Sequence, residues 1–227
     1  MRYIRTKDLK GDPARRMAAN NRPERLDEQK YLTLPQVKAV LDAISDDENN
    51  FARARDHAAV FCGFYMALRV GEAAQLHVRH FRHLDRGVVY VTRLKRRGEE
   101  PEQRLPYMEP QALKYFQGYL AGLREGQEWL FEPHRNPGAH LGPWTLGQCF
   151  GTYAQAAGLD PEYSWHSLRH GRGMQLWSKF RDLKVVAEFL GHKNVMTASI
   201  YIHLDPATRE ERSAKLSEDW IGVKGPK

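Results

Sequence analysis

Ser164-Trp-His-Ser-Leu-Arg-His170, then Leu190-Gly-His192 and Ile200-Tyr-Ile-His203, decide how this chain is read. His166 and Arg169 are three residues apart, and His166 and His170 four apart, so on a helix all three share one face. Leu183 to Leu190 is apolar with helical period, and Gly191 reads as a left-handed cap that closes that helix beneath His192. Tyr201 lies nine residues past His192, on a second short helix. Imidazoles and a guanidinium beside one phenol point to a site that holds a phosphate and attacks it.

Working outward, two more segments carry the same kind of chemistry. Ala67-Leu-Arg-Val-Gly-Glu72 places Arg69 and Glu72 after an apolar run, and Tyr90-Val-Thr-Arg-Leu-Lys95 carries a strand into a basic turn. Together the segments resemble the boxes of the tyrosine recombinase (phage integrase) family. The C-terminal box is His-x-x-Arg-His, Leu-Gly-His and the downstream Tyr; the first box is Arg-x-x-Glu; the family's lysine sits in a strand and turn between them. The likeness runs from about Thr33 to Tyr201.

The 227 residues are enough for one substantial domain, or one domain plus an arm. A formal charge of +7 and a pI near 9.4 suit a polyanionic partner and say nothing of fold. There is no apolar run of 18 residues to span a membrane, and the basic start has no apolar stretch behind it to make a secretory signal. Cys62 and Cys149, far apart among apolar or small neighbours, read as thiols in a reducing cytoplasm and not as a disulfide or metal pair.

Residues 1–30 carry nine Lys/Arg against five Asp/Glu and read as a basic arm or linker, either a plain tail or a DNA-touching one. Thr33-Leu-Pro-Gln36 is a capping box opening a helix with Val37, Val40, Leu41 and Ile44 on one face. Residues 52–67 predict a core helix delivering Arg69, with Glu72 starting a further short helix through Leu76. Val88 to Thr92 is strand-prone, and Arg104 to Tyr107 predicts the returning strand, with proline demoting it to an edge. Pro110 to Leu123 predicts a helix burying Leu113, Phe116, Tyr119 and Leu120, and Thr145 caps another ending at Gly158. The expectation is a mainly helical α+β body with a small three-stranded antiparallel sheet on one side. The domain runs over 31–204, and 205–227 form a C-terminal helix and tail.

Cleaving a phosphodiester takes an attacking atom, positive charge on the non-bridging oxygens and a proton for the leaving oxygen. Tyr201 can attack and form a covalent phosphotyrosyl intermediate, which keeps the bond energy for rejoining and requires no cofactor. Arg69 and Arg169 are the candidate clamp, since guanidinium forks bind two phosphate oxygens and stay charged. His166 can take the tyrosine proton or bond the phosphate, His192 can donate another bond, and His170 orients a neighbour from behind. His166 and His170 also imitate half a zinc motif, but Ser167 stands where glutamate would be needed and no third ligand follows, so no metal is assigned. Glu72 reads as steering Arg69. His77, His80, His83, His134 and His140 fall at loops or strand edges and receive no role.

The resemblance implies that Lys95 protonates the leaving 5′-oxygen, with Arg93, Arg96 and Arg97 as neighbours that leave its identity open. It implies a site-specific recombinase working through a 3′-phosphotyrosyl link on double-stranded DNA, as a dimer per site and a tetramer at synapsis. Accessory DNA-bending proteins, a cytoplasmic, nucleoid-associated location and no membrane partner go with it. The helix after Asp205 either exchanges between protomers or docks on its own domain. The family's N-terminal helical DNA-clamp domain has no counterpart here, which fits a naturally short member or a fragment. Two rivals share the fold: a non-catalytic DNA-binding accessory or regulatory protein, and an enzyme that breaks and rejoins strands at a single site, like the type IB topoisomerases.

Overall fold

The computed structural model describes residues 31–47, 50, 52–92, 102–105 (backbone alone for 102–104) and 108–205, together with 207, 208, 210, 211 and 215. The arm, Lys95 with its basic neighbours, and most of the segment after Asp205 lie outside the described residues.

Eight α-helices have both ends among the described residues: α1 Leu34–Ser45, α2 Arg53–Tyr65, α3 Val70–Ala74, α4 Pro110–Ala121, α5 Pro143–Ala156, α6 Trp165–Phe180, α7 Leu183–Leu190 and α8 Ile200–Leu204; residues 207, 208, 210, 211 and 215 are helical as well. α1 starts as its capping box requires, with Gln36 Oε1 accepting the Thr33 N–H at 2.9 Å and proline in the first turn. It buries Val37, Val40 and Ile44 against α2 and α5. α2 ends at Tyr65, short of the expected 67, because Ala67 turns left-handed at φ 51°. Such a turn costs a residue with a Cβ about 1–2 kcal/mol. Arg69 is therefore the N-cap of α3 and not a residue of either helix, and Glu72, expected to open α3, stands in its first turn.

Among the described residues the sheet is smaller than expected. Its described strands are two, β1 Tyr90–Thr92 and β2 Glu102–Arg104, antiparallel with Tyr90 opposite Arg104 and Thr92 opposite Glu102. The ladder carries on as far as Leu105, whose N–H donates to Val89 O at 2.8 Å, so the returning strand comes earlier than Arg104 to Tyr107. Candidates for a third strand close only single bridges, His77 with Trp129 and His83 with Val88, because 3₁₀ turns at Val78–Phe81 and Leu84–Arg86 interrupt the chain between them. His80 lies in the first of those turns and is wholly buried, its Nδ1 accepting the His77 N–H at 3.2 Å. α5 starts after Gly142, so Thr145 sits inside its first turn and does not cap it.

The apolar interior forms two clusters. The larger gathers α1, α2, α3, the β1 strand, α4, α5 and the start of α6, down to Leu168. The smaller holds Ala67, Met174, Leu176, Trp177, Val186, Ala187, Phe189, Leu190, Ala198, Tyr201 and Leu204. α6 runs through both. Its Ser164 N-cap donates a main-chain N–H to Ser167 Oγ at 3.1 Å, and Arg181 ends it in the left-handed region at φ 52°. Cys62 is buried and Cys149 half-buried, both as free thiols, and burial pushes both up, Cys149 to about 12.

Candidate active site

Arg169 is the hub. It is 2% exposed, and its guanidinium donates from Nη1 to Ala67 O at 2.5 Å and from Nη2 to Leu190 O at 2.7 Å. Ala67 stands two residues before Arg69, and Leu190 two residues before His192. One side chain on α6 therefore fixes both the turn that presents Arg69 and the turn that presents His192. Hydrogen bonds from a charged donor to buried carbonyls contribute roughly 1.5–3 kcal/mol each. Trp165 strengthens the first tie, donating Nε1–H to Leu68 O at 2.9 Å.

Arg69 is held at its own level by Glu72, which accepts the Arg69 backbone N–H on Oε2 at 3.0 Å and pairs Nη1 through Oε1 at 3.0 Å. Glu72 is buried and Arg69 is 23% exposed, so the guanidinium is anchored at one end and open at the other. Its Nε is buried without a hydrogen-bond partner. A guanidinium oriented by a buried carboxylate is suited to meeting an anion from solvent.

Gly191 caps α7 at φ 65°, as its position in the sequence requires. The cap turns His192 back so that its N–H donates to Ala187 O at 2.8 Å. The α7 face beneath it, Val186, Ala187, Phe189 and Leu190, is buried. Asp182 opens the helix by accepting the Lys184 N–H at 2.7 Å.

The phenol completes the cluster. His166 and His170 stand edge to face with ring centroids 4.2 Å apart, and the Tyr201 hydroxyl lies 3.2 Å from His170 Nδ1. Tyr201 is 1% exposed. Its ring lies over Gly173, where a Cβ would come within 2.4 Å of Cζ and 2.6 Å of the hydroxyl. Of the six residues singled out in the sequence, Arg69 and His192 are thus tied through their turns to Arg169, while His166 and Tyr201 flank His170. Lys95, the sixth, lies outside the described residues. A cleft of about 800 Å³ on α1, α2 and α4, lined by Arg53, His57, Lys114 and Tyr115 among others, contains none of them.

Sequence reasoning missed three features of this arrangement: the left-handed Ala67, the glycine seat under the phenol, and the bond between the phenol and His170. A signal for the seat was present. Gly171 and Gly173 inside a helix cost about 1 kcal/mol each relative to alanine, which marks a close approach. Gly171 meets the backbone of Leu32, whose N–H donates to Ser167 O at 3.2 Å, and Gly173 meets Tyr201.

Residues 30–208 match the phage integrase family. The chain is 30% identical over 201 residues to the tyrosine recombinase XerC of Salmonella typhi, covering 87% of this chain and 63% of that protein. It is 31% identical over 199 residues to the tyrosine recombinase XerD of Vibrio vulnificus, covering 85% and 62%. The crystal structure of the XerH site-specific recombinase bound to palindromic difH substrate, a post-cleavage complex, has a TM-score of 0.66 at 25% identity, over 85% of this chain and 54% of that one. The chain spans a little under two thirds of the length of the XerC and XerD relatives it matches.

Proposed function

The chain belongs to the phage integrase family, and on that premise we propose that it is the catalytic part of a site-specific DNA recombinase that cuts and rejoins duplex DNA through Tyr201. The Tyr201 oxygen attacks the phosphorus, the bond to the 5′-oxygen breaks, and a 3′-phosphotyrosyl link forms. The phenol proton passes to the imidazole pair, of which His170 Nδ1 lies 3.2 Å from the hydroxyl, and Lys95 gives the leaving 5′-oxygen its proton. Arg69 and Arg169 stabilise the charge that develops on the non-bridging oxygens, with His192 as a further donor. Donors aimed at such charge are worth about 3 kcal/mol each. A 5′-hydroxyl from another strand reverses the steps.

The observation that carries this reading is the double tie from Arg169, which fixes the turns of Arg69 and His192 on the helix whose next residue, His170, meets the phenol. The finer assignments rest on the family likeness: 31–204 is the catalytic domain, 1–30 a basic arm or linker, and 205–227 a C-terminal segment whose start, at Asp205 and Thr208, docks on the same chain. A dimer sits on each site and a tetramer forms at synapsis, with bending proteins assisting, on the nucleoid in the cytoplasm.

The test is a covalent adduct. Wild type and Tyr201→Phe are incubated in EDTA with labelled, nicked duplexes tiled across the DNA flanking the gene and run on denaturing gels. Wild type gives a protein-linked band and the variant none. Retained DNA binding with no wild-type band on any duplex returns the weight to the non-catalytic reading. Lys95→Ala slows cleavage by about 10²–10⁴, and a 5′-bridging sulfur, which leaves without a proton, restores it.

A further inference from the structure

Asp205 follows α8 directly, four residues after Tyr201, as the cap of that helix. Its carboxylate collects four donors. Trp177 Nε1–H donates to Oδ2 at 3.1 Å, Thr208 Oγ1–H to the same oxygen at 2.7 Å, Arg181 Nη1–H also to Oδ2, and the Ala207 N–H to Oδ1 at 3.3 Å. Arg181 reaches Thr208 Oγ1 as well, at 2.8 Å. Trp177 is in the last turn of α6, and Arg181 is its C-cap, held at a left-handed φ rarely adopted by a residue with a Cβ. One buried carboxylate therefore fastens the end of the tyrosine helix to the end of α6 and to the chain beyond.

That fastening matters because of where the phenol is. In-line attack brings the phenol oxygen to about 3–3.5 Å from a phosphorus. At 1% exposure, with its ring on Gly173, Tyr201 leaves no room for a phosphodiester. The five-residue α8 has to shift on α6 for the hydroxyl to meet one.

We propose that Asp205 is a positioning residue for Tyr201: acting through Trp177 and Arg181, it holds α8 in the seated arrangement and sets how often the phenol leaves it. The catalytic consequence rests on the reading of Tyr201 as the nucleophile. The positioning does not, and it is tested without DNA.

Wild type, Asp205→Asn and Arg181→Gln are treated with tetranitromethane, and nitration of Tyr201 and Tyr153 is followed by peptide mass spectrometry. Asparagine keeps the shape and loses the charge. Weakening charge-assisted bonds should raise Tyr201 nitration in Asp205→Asn by about tenfold or more, and in Arg181→Gln by less. Tyr153, 9% exposed and bonded to Asp47 and Asn50, reports general loosening and should stay within about twofold. Unchanged Tyr201 nitration, or equal rises at both tyrosines, overturns the proposal. On a nicked duplex at saturating concentration, Asp205→Asn should form adduct faster than wild type, because more molecules present the phenol. A slower rate overturns the assignment of Asp205 to the seated state. An absence of adduct with wild type unseats the recombinase reading and leaves the nitration result standing.

Discussion

The two apolar clusters on either side of α6 are built differently. The larger draws on five other helices and the β1 strand and is held by packing from many directions. The smaller, which contains Tyr201, rests on one half of α6, on α7 and on a single turn of α8. Polar ties mark its margins: Arg169 to Ala67 and Leu190, and Asp205 to Trp177 and Arg181. The anchored cation, Arg69, belongs to the stiff side and the phenol to the lightly held one. Substitutions in the first should register mainly as lost stability, and in the second as a displaced phenol.

The largest effect should come from Arg169→Met, which removes both ties at once. It leaves two buried carbonyls without their charged donor and lowers stability by roughly 3–6 kcal/mol, at about 1.5–3 for each bond. Urea denaturation measures it, and Arg169→Lys should recover less than half, since an ammonium has no planar fork to span two carbonyls. Loss of stability without any change in cooperativity would mean that the clusters unfold as one.

Gly171→Ala and Gly173→Ala sharpen the contrast within one helix. A Cβ at 171 comes to 2.1 Å from Leu32 O, a backbone atom on the stiff side, whereas at 173 it comes to 2.4 Å from the movable Tyr201 ring. Overpacking of this kind costs about 1–3 kcal/mol. Gly171→Ala should be the more destabilising by thermal unfolding, and Gly173→Ala should give the greater rise in Tyr201 nitration. The reverse order would erase the distinction.

Acid should separate the two sides by pH. Burial lowers the His57 imidazole below its usual value, with the Asp42 charge opposing, and His57 Nδ1 lies 2.6 Å from the Tyr115 hydroxyl beside the larger cluster. The unfolded chain protonates first, so stability falls as pH drops through about 6.5 toward the folded value. Burial would raise the Asp205 carboxyl, but bonds from Thr208, Arg181 and Trp177 prevail and hold it below the usual carboxylate range. Its contribution is complete above about pH 3.9 and is lost as pH falls through the lower folded value. In unfolding series across pH, His57→Gln should flatten the upper window alone and Asp205→Asn the lower alone.

The smallest effect is expected at Arg172, as buried as Arg169 and one turn further on. It pairs Glu109 at 2.6 Å and lies over the rings of Tyr65 and Phe189, and Glu109 keeps access to water. Replacing both partners, Arg172→Met with Glu109→Leu, exchanges the ion pair for apolar side chains, so stability should stay within about 1 kcal/mol.

Much of this was legible in the sequence wherever a local rule decides the geometry. The Thr33 to Gln36 box, the Gly191 cap, the Arg69 with Glu72 pair and the shared face of His166, Arg169 and His170 all depend on residues within four positions of each other. What stayed hidden depends on distant partners. Arg169 chooses main-chain carbonyls 102 and 21 residues away, and a carbonyl carries no side-chain signature. Ala67 turns left-handed with no glycine or asparagine to announce it, because the bond to its carbonyl offsets the strain. The strand-prone run at Val88 gave no warning that 3₁₀ turns before it would limit the described sheet to two strands. Asp205 looked like an ordinary helix start before proline, and only its spatial neighbours make it a junction.

The contact between Leu32 and α6 also has a mechanical meaning. Its N–H reaches Ser167 O, and its carbonyl presses on Gly171. A pull on the chain ahead of Tyr31 therefore reaches the helix that carries His166, Arg169 and His170, as well as α1, which follows directly. Tension at residue 31 would load the active-site helix sideways through the Leu32 bond to Ser167.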